Sequence, residues 1–382
     1  MQFTPEHEQF RKVVATFVEN EINPYVDKWE KAKIFPAHEL FPKVAEIGGF
    51  GLEYDEEYGG QGADHTYTLV LMEELGRADA AGPPMGISVQ ATMSTPALHR
   101  FGSDELKRKY LIPAMEGRDV TSVAVSEPDA GSDVAGIKTR ARRDGDHWVI
   151  NGSKMWITNG SQADWICMLV RTSDEGGFQG MSQIIVPTDT PGFSVGRLIE
   201  KMGNWSSDTA ELVLQDVRVP VSNTIGEVGR GFQQQMVQFQ DERLTVSYSA
   251  AMGARRALER TVEYLRVREA FGRPLIANQY LRYNIAELMA ECDILIEYNR
   301  SMAFRYAAGE DVSRMATNAK LKVGKLTRQV ADLVVQYHGG MGYAEENWAA
   351  RYARDSRIIA IGGGADEVML RVLTAYEGMD RR

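Results

Sequence analysis

Glu242 stands beside Arg243 in the run Phe239-Gln240-Asp241-Glu242-Arg243-Leu244, inside a long stretch of helical periodicity. At about 100° per residue, its helix face also carries Phe239, Val246, Ser249 and Gly253, a stripe of apolar and small side chains. Burial on such a face raises a carboxyl pKa toward neutrality, which suits a general base that removes a weakly acidic C–H proton. The alternative is a solvated pair of Glu242 with Arg243, the usual state of such residues on a helix. Elsewhere, Ser126, Trp156 and Thr158 put an aromatic ring and two hydroxyls into a region of short strands, and Arg268 offers a planar cation suited to phosphate oxygens. Taken alone, Trp156 reads as a strand residue packed in a β core.

Other chemistries lack their residues. The six histidines show no metal-ligand spacing, and Cys167 and Cys292 lie far apart, so neither a metal site nor a disulfide framework is expected. No G-x-S-x-G is present, and no G-x-G-x-x-G follows a strand and opens a helix. Gly362-Gly363-Gly364 is too short a signal to claim phosphate binding alone.

These residues must be positioned by a chain of 382, 43% apolar and 25% charged, long enough for two or three domains. Lys and Arg number 43 against 53 Asp and Glu, a net charge of −10. That balance argues against nucleic acid or an anionic membrane as partner, and a phosphate-bearing ligand must be held by a few placed groups. The first residues, MQFTPEHEQFRKVV, carry charges where a signal peptide needs an apolar run, and no stretch of about 18 apolar residues occurs. A cytoplasmic protein without a membrane span is expected.

Thr4 followed by Pro5, with Glu6 and Glu8 in the first turn, starts a helix that Phe10, Val13, Val14, Phe17 and Val18 continue toward Asn23-Pro24. Helical stretches run on through Met115, with a restart at Ser103-Asp104-Glu105. After Gly117-Arg118-Asp119 come short β-branched and aromatic runs bounded by Gly, Asn, Asp and Pro: SVAVS, HWVING, KMWITNG, WICMLVR, SQIIVP, FSVGRLI and AELVLQDVRVP. A loop at 226–231 leads into long helices rich in Ala, Leu, Arg and Glu. The expected organisation is an α+β multi-domain chain: a helical domain over 1–118, a β-barrel or sandwich domain over 119–228 and a helical domain over 229–382, with the two helical regions packed together.

The segment Ala124-Val125-Ser126-Glu127-Pro128-Asp129-Ala130-Gly131-Ser132-Asp133-Val134-Ala135-Gly136 resembles the first signature of the acyl-CoA dehydrogenases. Gln336-Tyr337-His338-Gly339-Gly340-Met341-Gly342-Tyr343, continuing through Glu346, Arg351 and Asp355, resembles the second. Lys154-Met155-Trp156-Ile157-Thr158-Asn159-Gly160 and Arg268-Glu269-Ala270-Phe271-Gly272-Arg273-Pro274 match the same family in order and separation, so the resemblance spans almost the whole chain. It implies a C-terminal four-helix bundle, FAD as cofactor and a homotetramer. A flavin needs an apolar or aromatic floor, a few polar groups at its edge and cations for its pyrophosphate. By this resemblance Val123, Val125, Ser126, Trp156 and Thr158 contact the isoalloxazine, Val123 departing from the aromatic residue often found there. Arg268, Phe271, Gln279, Gln336, Gly339 and Gly340 correspond to positions that reach the FAD of a neighbouring subunit, Arg268 toward its pyrophosphate.

Many members of the family carry the catalytic Glu near the C-terminus, where this chain reads Ile361-Gly362-Gly363-Gly364-Ala365-Asp366-Glu367 and has Gly363 in its place. The long-chain and isovaleryl-CoA dehydrogenases instead carry it on the long helix just before an Arg, which is Glu242; Asp241 lies one residue off that face. The resemblance further implies that the backbone N–H of Gly363, with a FAD ribityl hydroxyl, bonds the thioester carbonyl. Ser132 resembles a position near the entry of the acyl group, and Arg243, Ser249 and Gly253 join it as the expected substrate side. The implied reaction converts an acyl-CoA to a trans-2-enoyl-CoA, with Glu242 taking the α proton, the β hydrogen leaving as hydride to the flavin and electrons passing to an electron-transferring flavoprotein. The small residues on the Glu242 face suggest a medium-to-long or methyl-branched acyl group, citronellyl-type included. Two alternatives are an acyl-CoA oxidase, disfavoured by the absence of a long C-terminal extension, and a non-catalytic acyl-CoA-binding subunit, kept open by Gly363.

Overall fold

A computed structural model describes residues 2–379. At the N-terminus Pro5 opens α1 (Pro5–Phe17), and a π-helical turn, Val18–Ile22, carries the helix to a 3-10 turn at Asn23–Tyr25. Pro24 supplies no N–H there, so the regular α-helical bonding is interrupted before it resumes over Val26–Ala32. The next helices that matter to the site are α2 (His65–Leu75), α3 (Gly82–Ser88) and α4 (Pro96–Phe101). Asp64 caps α2 by accepting from the Thr66 N–H, and every residue of α2 except the half-buried Tyr67 is buried. Ser103 caps the restart at Asp104–Leu106, its Oγ accepting from the Leu106 N–H.

Eight strands follow: β1 (Thr121–Ala124), β2 (Arg140–Asp144), β3 (His147–Thr158), β4 (Trp165–Arg171), β5 (Met181–Pro187), β6 (Phe193–Leu198), β7 (Thr209–Pro220) and β8 (Thr224–Ile225). They form one mixed sheet in the order β6-β7-β3-β2-β4-β5-β8, with β1 added in parallel to β4. HWVING and KMWITNG, two runs in the sequence, join as the single strand β3. Its register against β7 shifts between Lys154 and Ile157, and inside that irregularity Trp156 takes φ 69°. β2 escapes a sequence reading because its Arg-Ala-Arg-Arg-Asp buries only Ala141.

The C-terminal helices are α5 (Gly231–Val267), α6 (Gln279–Ala307), α7 (Ser313–His338), α8 (Trp348–Ser356) and α9 (Asp366–Tyr376). α5, 37 residues, packs on α6 and α7 and also reaches across to α2. The two helical regions consequently share one core, in which Phe17, Phe41 and Leu69 pack in a single cluster with Leu244, Leu258 and Val330. At the crossing of α2 with α5, a Cβ on Gly253 would lie 2.9 Å from the Gly76 carbonyl oxygen, so only glycine permits this backbone approach. A second cluster, including Trp148, Ile150 and Leu212, fills the sheet, and Tyr110 and Leu111 close its other side over Trp165 and Cys167. Cys167 and Cys292 are both free and buried. No helix among the described residues is long and apolar enough to cross a membrane.

Candidate active site

β1 and the loop after it bring Val123, Val125 and Ser126 beside the end of β3, which carries Trp156 and Thr158. The Met155 N–H donates to the Ser126 carbonyl at 2.9 Å, and Ser122 Oγ donates to the Thr158 carbonyl at 2.6 Å. Lys154 locks this arrangement from below: it is fully buried, and its Nζ donates to the Val125 carbonyl and to Glu127 Oε1, both at 2.9 Å. Glu127 is held in turn by the backbone N–H groups of Lys138 and Thr139. Burial pulls the Lys154 ammonium down to about 8 against the attraction of Glu127. Trp156 remains 57% exposed. An exposed indole held out by an unusual backbone angle, with Ser126 and Thr158 at its side, fits a flat aromatic ligand such as the isoalloxazine. A Trp with no partner would lower its free energy by burying that ring.

Val123 and Val125 pack in one small cluster with Phe239 of α5, which ties this platform to the helix carrying Glu242 one turn further on. Glu242 is half-buried, and among the described residues its carboxyl makes no hydrogen bond or ion pair. Burial raises its pKa above the ordinary value, with Lys320 and Arg243 pulling the other way. The loop after α8 brings Gly363, at φ 64°, directly opposite: a Cβ there would lie 3.2 Å from Glu242 Oε1 and 3.5 Å from Lys320 Cε. Lys320 of α7 is fully buried, and its Nζ donates to the carbonyls of Ile359 at 2.6 Å and Gly364 at 3.0 Å. Arg243 is half-buried; burial lowers its pKa, and its Nε has no hydrogen-bond partner among the described residues. Asp241 faces away from this group, paired with Arg100 at 2.6 Å and accepting from Tyr306 Oη at 2.9 Å.

Along the Glu242 face of α5, Val246, Ser249 and Gly253 line a cavity of about 120 Å3 that begins one turn beyond the carboxylate. Met85 and Ser88 close it from α3, and Ile358 and Ile359 from the loop after α8. The Ile359 carbonyl that accepts from Lys320 thus joins the wall of the cavity to the surroundings of Glu242. The cavity is mostly apolar, as an alkyl chain requires.

The remaining expected residues are exposed. Ser132 is exposed in the segment between β1 and β2. Arg268, Phe271, Gln279, Gln336, Gly339 and Gly340 are exposed, at the end of the helical bundle where α5 ends, α6 begins and α7 ends. Tyr264 Oη donates to the His338 carbonyl and Asn284 Nδ2 to Tyr337 Oη, which fixes these three helix ends against one another. Phe271, at φ 55°, is fully exposed, and Tyr280, Tyr283 and Tyr343 are exposed nearby in sequence. Sequence reasoning missed Lys154, Glu127 and Lys320. Lys154 stood in a recognised motif, but nothing in a run such as Ala319-Lys320-Leu321-Lys322 separates a buried lysine from a solvated one.

Three family models match the chain: "Acyl-CoA dehydrogenase, N-terminal domain" over residues 4–118, "middle domain" over 122–217 and "C-terminal domain" over 229–376. The chain is 33% identical to the probable acyl-CoA dehydrogenase YngJ of Bacillus subtilis, over 97% of this chain and 98% of that protein. A solved structure of a putative acyl-CoA dehydrogenase from Mycobacterium smegmatis superposes with a TM-score of 0.96 at 38% identity, covering 99% of both chains. A glutaryl-CoA dehydrogenase from the same organism, solved in complex with FADH2, superposes with a TM-score of 0.92 at 29% identity, over 98% of this chain and 95% of that one.

Proposed function

Because the chain belongs to the acyl-CoA dehydrogenase family, an FAD-dependent oxidoreductase family, we propose that Glu242 is the base with which it dehydrogenates an acyl-CoA between Cα and Cβ. The single observation that carries this assignment is the carboxylate of Glu242, unpartnered and partly desolvated, facing the Gly363 position and standing one turn from an apolar cavity. Val123, Val125, Ser126, Trp156 and Thr158 would hold the isoalloxazine, with Arg268 and the other exposed residues of the bundle end reaching the FAD of a second copy. The exposure of Phe271, Tyr280 and Tyr343 supports such an assembly, a homotetramer as the resemblance implies. FAD, when bound, supplies the hydride acceptor for the β hydrogen.

The residues of this chain do the rest. Glu242 takes the α proton. The N–H of Gly363, which makes no hydrogen bond among the described residues, is free to donate to the thioester carbonyl and to stabilise the charge that develops there. The cavity beyond Val246 excludes water from the acyl chain and orients it. Its small residues Ser249 and Gly253 support a medium-to-long or methyl-branched acyl group, and an electron-transferring flavoprotein in the cytoplasm is the proposed electron acceptor. The deciding experiment is anaerobic bleaching of the bound flavin by a panel of acyl-CoA thioesters of graded length and branching, followed by air. Bleaching that persists in air supports a dehydrogenase. Rapid peroxide formation would make it an oxidase, and no bleaching by any thioester would leave only acyl-CoA binding.

A further inference from the structure

Lys320 is a fully buried cation with no carboxylate in contact among the described residues, and the proposed function gives it no task. A buried ammonium is expensive, and a methionine would fill the same space without desolvating a charge. Three features show where that charge acts. Its Nζ grips the carbonyls of Ile359 and Gly364, one on each side of Gly363. Its Cε and Glu242 Oε1 face one common point, the place a Cβ of Gly363 would occupy, at 3.5 and 3.2 Å. The other charged groups around it are Arg243 on α5, a cation, and Asp366 on α9, which is engaged by Arg328 at 2.8 Å. Glu242 is therefore the carboxylate near Lys320 that has no partner of its own.

We propose that Lys320 is a positioning residue for the base: it clamps the loop so that Gly363 stays opposite Glu242, and its charge holds the Glu242 carboxyl ionised in a desolvated site. This rests on the assignment of Glu242 as the base. The electrostatics agree in direction. Burial pushes Glu242 up and Lys320 is the largest influence opposing it, while Lys320 is itself drawn down to about 8 by burial, with Asp366 and Glu242 opposing and Arg243 assisting.

The test compares the rate of flavin reduction by acyl-CoA across pH in the FAD-loaded wild type and in Lys320→Gln, Lys320→Met and Lys320→Arg. Gln keeps N–H donors for the two carbonyls but no charge, Met keeps neither, and Arg keeps the charge. Loss of a nearby cation raises a carboxyl pKa, so the acid limb of the profile moves upward by about one pH unit or more in Gln and Met. It stays near the wild-type position in Arg, and Met loses more of the plateau rate than Gln. Folded variants whose rate falls while the acid limb stays in place would overturn the proposal and leave Lys320 a purely structural residue. Lys320→Gln, which keeps a polar N–H donor, keeps the test open if Lys320→Met does not fold. Glu242→Gln is run beside them: flavin reduction at the wild-type rate there would remove the base assignment itself, an outcome distinct from failure of the lysine proposal.

Discussion

The missing side chain of Gly363 points at the carboxylate of Glu242: a Cβ on that glycine, at φ 64°, would lie 3.2 Å from Oε1. Two positions distant in the chain, one on α5 and one in the loop after α8, thus present a side-chain position to the same small volume. The helix brings a carboxylate to it, while the loop brings only its backbone.

Alanine at Gly363 places a methyl group in that volume and a left-handed backbone angle on a residue with a Cβ. Gly363→Ala is expected to cost about 1–2 kcal/mol of stability and to slow flavin reduction, read by thermal melting and anaerobic stopped-flow. A wild-type rate would show that the Gly363 position lies away from the reacting atoms.

Glu242→Gln removes the proposed proton acceptor but keeps its shape. Flavin reduction by acyl-CoA should fall by about 10²–10⁴-fold, with FAD still bound. In the wild type the proposed base must be ionised to act, and burial raises its pKa above the usual 4.5, so the rate should fall, as pH is lowered, earlier than an ordinary glutamate would dictate. An acid limb at the ordinary carboxylate value would contradict the burial of this group.

Asp241, adjacent in sequence, gives the contrasting result. Asp241→Ala leaves the solvent-exposed Arg100 without its partner and should cost about 1 kcal/mol, yet the pH profile of flavin reduction in the folded fraction should keep its acid limb. A displaced limb would implicate the wrong carboxylate.

Lys154 joins Val125 to Glu127 beneath the exposed Trp156. In Lys154→Met the buried Glu127 loses its counter-charge, and a loss of about 3–5 kcal/mol is expected. The FAD content after desalting, measured by flavin absorbance, should drop with it. Full FAD retention would detach the lysine from the flavin platform.

At Gly253 a Cβ would press on the Gly76 carbonyl at 2.9 Å and narrow the cavity. Gly253→Ala should cost about 1–3 kcal/mol and raise KM for long acyl chains more than for short ones. An equal change for both would place the acyl chain elsewhere.

Element order was legible because it depends on local pattern. The cap at Ser103, the start at Pro5 and the helical period of α5 are all written within a few residues. β2 was not legible, since its alternation buries one alanine among charges, and the continuity of β3 was hidden because a register shift between Ile150 and Gly152 interrupts its period where the two runs meet. The Glu242 face of α5 could be read in advance because residues on one helix keep a constant angular spacing wherever the helix packs. Val246, Ser249 and Gly253 accordingly line one cavity.

By itself, the sequence determined the family and the α, β, α order and put Glu242 forward as candidate base, since signatures and helix faces are properties of contiguous residues. Only the tertiary structure decided that Gly363 meets Glu242, that Lys320 lies beneath both, and that Lys154 is buried under the exposed Trp156. A lysine looks the same in sequence whether water or protein surrounds it. Its charge acquires a role only when packing removes the solvent and leaves specific carbonyls and carboxylates within reach.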